Sequence, residues 1–219
     1  IARTILVANS VLRDPATRKA RHPNSPPMAG EPGTRYARGT IILRPPLSRP
    51  PSRIELVPIG TVEDALLDHL AADLAARFDV RVVRGDAMPP SEAWWDPDRH
   101  QFRADDILDE LTRRCDSTTW TLAVVDADLR DRERDYIFGQ ATVGGCCAVI
   151  GLARLREEFY GRPGRRDMFL RRAVIEAAHE LGHVAGLGHC GDPECVMYSS
   201  VTIEDTDRKG TEFCGRCGA

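Results

Sequence analysis

The eleven residues from His179 to His189 read His-Glu-Leu-Gly-His-Val-Ala-Gly-Leu-Gly-His and gather three imidazoles and one carboxylate. Histidines at i and i+4 of a helix lie one turn apart on the same face, so the rings of His179 and His183 can reach one zinc ion while Glu180 stands beside them. A third ligand at His189, six residues after His183, reaches the same metal only if the chain turns back sharply. Gly186 is placed for that turn, because glycine tolerates the left-handed backbone it requires. Three neutral imidazoles leave a fourth tetrahedral position open, which is the mark of a catalytic zinc. The expected chemistry is hydrolysis of a peptide bond. Zinc lowers the pKa of a water to about 7, and Glu180 takes its proton and passes it to the leaving amine. His-Glu-x-x-His alone occurs by chance in on the order of one chain in a hundred. Requiring Gly186 and His189 at their offsets lowers that rate by roughly several hundred-fold.

A second metal pattern follows at once. Cys190 and Cys195 have four residues between them, eighteen more intervene, and Cys214-Gly215-Arg216-Cys217 closes the set. Two such pairs of thiolates complete a tetrahedral zinc with no open position, a structural site. Two zinc ions per chain are therefore expected. A redox Cys-x-x-Cys at Cys214 and Cys217 is the competing reading, and no thioredoxin-like strand precedes them. The total of seven cysteines is odd, and the chain of 219 residues is not small, so a disulfide framework is disfavoured. Cys115, Cys146 and Cys147 read as spare or buried thiols.

The elements that must carry these residues show in the periodicity. Residues 1–52 hold nine of the fifteen prolines and only Asp14 and Glu31 as acids, without an apolar face to offset ordering entropy. They are expected to form a flexible Pro/Arg-rich extension, a basic docking arm being the functional alternative, with the folded domain at 53–219. Residues 54–59 read as a strand, and 62–78 as a helix with Leu66, Leu67, Leu70, Leu74 and Phe78 on one face. Strand 80–83, helix 104–114 and a buried strand 120–126 follow, then strand candidates 138–142 and 147–153 around the Gly144-Gly145 turn. A helical stripe of Leu170, Ala173, Val174, Ala177, Leu181 and Val184 runs through 167–186. Such alternation implies an α/β sheet with helices packed on it.

Composition adds mainly exclusions. Apolar content of 42%, charged content of 29% and a net charge of −3 describe an ordinary globular protein and give no case for a nucleic-acid or anionic-membrane partner. No run approaches the roughly 20 apolar residues of a membrane helix, and residues 1–7 are interrupted too soon for a signal-peptide core. A cytoplasmic monomer is expected, although a first residue that is Ile leaves a removed targeting segment open.

With the zinc motif, Cys190, Cys195-Val196-Met197 and Cys214-Gly215-Arg216-Cys217 assembled, the chain resembles the archaemetzincins. Leu56-Val57-Pro58-Ile59-Gly60, Val125-Asp126-Ala127-Asp128-Leu129, Phe138-Gly139 and Ala153-Arg154-Leu155-Arg156 extend the resemblance to about residues 54–217. It implies an α/β (α+β) metzincin-like zincin fold. A mixed sheet and the active-site helix would form an upper part, and a lower part after Gly186 would carry the Met-turn and the C-terminal four-cysteine zinc site. In that wider clan a methionine in a tight turn underlies the zinc histidines, and Met197, eight residues past His189, has that position. Tyr198 reads as packing, with oxyanion stabilisation the alternative. The interval from Met197 to Cys214 is about a residue shorter than the usual pattern, which a loop can absorb.

The resemblance further implies a peptidase acting on peptides or proteins, aminopeptidase action being among the family's activities. The alternative is a catalytically silent zinc-binding module that recognises peptides or proteins with the same fold, and the intact Glu180 speaks for catalysis. A nucleic-acid-binding zinc ribbon fits poorly beside Asp192, Glu194, Glu204, Asp205 and Asp207. The apolar strand at 148–153 is expected to border the cleft with an open edge, on which substrate could add as an antiparallel strand.

Overall fold

Continuous apolar runs build the centre of the sheet. In the computed structural model, which describes residues 51–116 and 118–218, every residue of β5 (Thr119–Val125) and β8 (Cys147–Gly151) is buried. Strands covered on both faces read as unbroken apolar runs, as these do. β1 (Arg53–Ile59) runs parallel to β5 on one side and to β2 (Val82–Arg84) on the other, β5 runs parallel to β8, and β7 (Gly139–Ala141) pairs antiparallel with β8. The order is β2-β1-β5-β8-β7, a mixed sheet. A small second sheet joins β3 (Trp95–Asp96), β4 (Gln101–Arg103) and β6 (Leu129–Arg130).

Alternate residues of a strand face opposite sides, and each side has its own helices. Leu122, Val124, Ala148 and Ile150 pack with Leu66, Leu70 and Leu74 of α1 (Asp64–Phe78) and with Ala173, Ala177 and Leu181 of α3 (Arg166–Val184). Ala123, Val125 and Val149 pack on the other side with Ile107, Leu108 and Leu111 of α2 (Ala104–Arg114). The short α4 (Ile203–Arg208) opens with a capping box made by Thr202 and Asp205. Arg172 of α3, wholly buried, ties it to α4 through Asp207 (2.7 Å) and to Glu157 (2.6 Å). Removing either partner of such a pair would strand a buried charge.

Three expectations need correction. The strand at 148–153 does not have an open edge: β8 lies between β5 and β7, and the edge near the zinc helix belongs to β7. Apolar content marks β8 as buried, but pairing partners come from distant segments and leave no periodic signal. Cys115 and Cys146 are joined in a disulfide, so only Cys147 of that trio is a buried thiol. β2 begins two residues later than the apolar run at 80–83 suggests. The two- and three-residue strands of the small sheet and the six-residue α4 are too short to show periodicity.

Residues 1–50, on which nearly all of the expected extension falls, lie outside the described residues. No helix among the described residues is long and apolar enough to cross a membrane.

Candidate metal centres and active site

α3 ends in a turn that brings the third histidine back. Gly186 adopts φ +94°, its N–H donates to the His183 carbonyl (2.8 Å), and the N–H of Leu187 donates to that of Gly182 (3.0 Å). This pair of bonds is a Schellman motif with Gly186 at the left-handed position, where a Cβ would be strained. His189 then returns over the helix, its ring centroid 4.9 Å from that of His183 and 5.4 Å from that of His179.

One nitrogen from each of His179, His183 and His189 lies within 4.8 Å of the others. The Nδ1–H of His179 donates to the Val196 carbonyl and that of His183 to the Leu187 carbonyl, each at 2.8 Å. With Nδ1 so engaged, the Nε2 lone pairs converge, 3.1 Å apart. Zinc–nitrogen bonds of about 2.0–2.1 Å in a tetrahedron set neighbouring nitrogens about 3.4 Å apart, so the donor set fits zinc. Burial pushes His179 well below its ordinary pKa, with the Lys209 charge and His183 adding to the effect; burial likewise lowers His183 and His189. Neutral rings are what a metal ligand requires.

Glu180 is 5% exposed. Burial, and then the charge of Glu176, push its carboxyl up to about 8, against the pull of Lys209 and Arg134. β7 passes directly over it: a Cβ on Gly139 would lie 2.7 Å from Glu180 Cγ and 2.8 Å from its Oε1. Only a residue without a side chain lets this edge strand come so near. The turn after β7 is fastened to the zinc helix, where the N–H of Gly144 donates to the His183 carbonyl (2.9 Å).

Met197 is fully buried beneath the same helix. A Cβ on Gly182 would collide with its Sδ and lie 3.2 Å from Phe213 Cε1, which explains the glycine inside the histidine motif. The Met197 segment is a tight turn, with the N–H of Tyr198 donating to the Cys195 carbonyl (2.9 Å) and the N–H of Cys190 to the Met197 carbonyl (2.8 Å).

Cys190, Cys195, Cys214 and Cys217 present four sulfurs within 4.8 Å of one another, Cys190 and Cys214 at 3.7 Å. Zinc–sulfur bonds of about 2.3 Å give tetrahedral edges of about 3.8 Å, so this set also fits. Backbone N–H groups of Cys214 and Asp192 reach the sulfurs of Cys195 (3.4 Å) and Cys190 (3.5 Å). Burial works against ionisation of Cys214, but N–H groups of Arg216 and Cys217 bring its thiol down to about 7.

Every site residue expected from the sequence thus falls into one of two clusters or between them. Four further participants have no role assigned from the sequence: Gly139, quoted only within the family resemblance, Gly182, Glu176 and Lys209. Gly182 is the one that spacing could have flagged, since a mid-helix glycine without a packing reason costs about 1 kcal/mol.

Two histidines and a buried carboxylate on one helix and a third histidine returned by the turn that ends it, with an edge strand passing above and a methionine turn below, define a metalloprotease-type centre. Comparison with known proteins narrows the class. The family model for Peptidase family M54 matches residues 98–219. The archaemetzincin of Pyrococcus abyssi is 39% identical over 171 residues, covering 75% of this chain and 91% of the relative. That of Thermococcus kodakarensis is 36% identical over 172 residues, covering 75% and 92%. The crystal structure of the Archaeoglobus fulgidus archaemetzincin, complexed with malonate, matches with a TM-score of 0.66 and 32% identity over 75% of this chain and 97% of that one. The Methanopyrus kandleri archaemetzincin matches with a TM-score of 0.68 and 30% identity over 77% and 92%. The chain belongs to Peptidase family M54, the archaemetzincins. It is a zinc metallopeptidase, acting on peptide or protein substrates, and the family and fold class expected from its motifs are borne out.

Proposed function

We propose that residues 53–219 form a peptidase unit in which His179, His183 and His189 hold the catalytic zinc, Glu180 is the general base, and Cys190, Cys195, Cys214 and Cys217 hold a second, structural zinc. The observation that carries this reading is the convergence of the three histidines beside a buried Glu180. Bound there, zinc supplies a Lewis acid for the scissile carbonyl and lowers the pKa of a water. Glu180 would accept a proton from the attacking water at its carboxylate and return it to the leaving amine. Its buried surroundings raise its basicity.

Substrate orientation falls to β7. Its outer edge pairs with no strand among the described residues, and Gly139 brings its backbone against Glu180. An extended peptide paired along that edge would run past the base with its carbonyls held by main-chain hydrogen bonds. Met197 and Gly182, in contact below, support the helix on which two ligands sit.

The test is cleavage of a mixed peptide library by the zinc-loaded chain, read by mass spectrometry, with Glu180→Gln as control. Stepwise loss from the N-terminus identifies an aminopeptidase and internal cuts an endopeptidase. A chain holding both zinc ions that cleaves nothing and yet retains library peptides would establish the silent recognition module instead.

A further inference from the structure

Behind the histidine cluster stands a lysine that solvent does not reach. Lys209 follows α4, and its side chain is 0% exposed. Its Nζ lies 3.3 Å from Glu176 Oε1, donates to the Tyr198 carbonyl (3.3 Å), and sits 3.5 Å from His179 Nδ1. Glu176 Oε1 also accepts a hydrogen bond from Thr206 Oγ1 (2.9 Å), and both residues are buried. An ammonium and a carboxylate withdrawn from water are costly to bury, and an apolar pair of similar shape would often hold a fold as well. Stability alone is therefore a poor account of this pair.

Its placement suggests a better one. Glu176 is on α3 three residues before His179, on the same face of the helix. Tyr198 is two residues past Val196, whose carbonyl receives the His179 Nδ1–H. Lys209 thus grips the helix that carries the ligand and, at the same time, the turn that orients the ligand's ring. We propose that Lys209 is a positioning residue of the catalytic zinc site: bound to Glu176 and to the Tyr198 carbonyl, it sets the Met197 turn against α3 and so aims the His179 ring at the metal. The same residue is linked toward the cysteine site. Its carbonyl accepts from Arg171 (2.8 Å), and the next N–H, of Gly210, donates to the Glu194 carbonyl (3.0 Å) one residue before Cys195.

The inference rests on His179 being a zinc ligand, and the experiment separates the two ideas. Lys209→Met alone would strand the Glu176 carboxylate, so the main variant is Lys209→Met with Glu176→Gln, which removes both charges and keeps an oxygen for Thr206. The full chain is stripped of metal and refilled with zinc under graded chelator, and separately with cobalt(II). Zinc affinity at the histidine site is expected to fall roughly 10- to 100-fold, the usual effect of losing a group that orients a ligand. The d–d bands of cobalt at that site should shift, while the thiolate charge-transfer bands of the cysteine site stay as in wild type. A pair with a merely structural role would lower the melting temperature and leave affinity and both spectra unchanged, and that result overturns the proposal. If the double variant does not fold, Glu176→Gln alone decides: unchanged zinc affinity at the histidine site again overturns it. If the wild-type chain takes up metal at the thiolates alone, the ligand assignment itself fails, and the proposal with it.

Discussion

Replacing Gly139 by alanine should disable the enzyme without touching a ligand or the base. The new Cβ would stand 2.7 Å from Glu180 Cγ, 2.8 Å from Glu180 Oε1 and 2.9 Å from the Val149 carbonyl oxygen. Carbon–carbon contacts relax only near about 3.5 Å, so some 0.8 Å of clearance must be found. Val149 belongs to β8, whose Ile150 pairs with Gly139 and whose Gly151 N–H donates to the Phe138 carbonyl (2.9 Å), so the strand has little room to retreat. Glu180 must give most of the distance. Misplacement of a catalytic group by about 1 Å can cost about 100-fold, so kcat should fall roughly 30- to 100-fold. The crowding itself should cost about 1–3 kcal/mol of stability. The assay is steady-state hydrolysis of a peptide that the wild-type chain cleaves, beside zinc content and thermal unfolding of the same preparation. A folded Gly139→Ala chain with two zinc ions and wild-type kcat would refute the argument that β7 sets the position of Glu180.

Glu180→Gln should keep both zinc ions and lose roughly 100-fold or more in turnover, since it removes the base and no ligand; wild-type turnover in a zinc-filled variant would contradict the mechanism. In the metal-free chain Glu180, raised to about 8, is mostly protonated at pH 7, and the charge of arriving zinc favours the carboxylate. Zinc binding at pH 7 should therefore release a proton that Glu180→Gln does not release, measurable by calorimetry in buffers of different ionisation enthalpy. Cys214→Ser should leave fewer than two zinc ions per chain, lower the melting temperature and weaken zinc at the histidines as well. His189 and Cys190 are adjacent, and the Cys190 N–H is bound to the Met197 carbonyl; an unchanged chelator titration of the histidine site would show the two centres to be independent. Cys115→Ser opens a loop whose ends are 31 residues apart and should cost about 3–4 kcal/mol in unfolding by denaturant. Stability equal to wild type under oxidising conditions would count against that disulfide.

The parts of the site legible in the sequence are those set by local geometry. His179 and His183 share a helix face because 3.6 residues make a turn, and Gly186 with His189 follows from where a left-handed residue can end that helix. The cysteine pairs obey the same short-range logic, each pair being close in sequence and needing only one further meeting. Leu66 to Phe78 and Leu170 to Val184 display their apolar stripes within one element, so both helices could be read before their partners were known.

What only the tertiary structure decided is every relation between distant segments. The apolar run at β8 announces burial but does not say that β7, rather than β8, is the sheet edge lying against Glu180 of the zinc helix, because pairing is a contest among strands far apart in the chain. Gly139 looks like any strand glycine until Glu180, 41 residues later, is folded against it. Cys115 and Cys146 meet only because α2 ends where β8 begins. Lys209 and Glu176 carry no spacing at all that marks them, since a charge on a polar segment is ordinarily solvated. They become a buried pair only when α4 closes over α3 and excludes water from both, and that exclusion is a property of the packed chain and of no stretch of it alone.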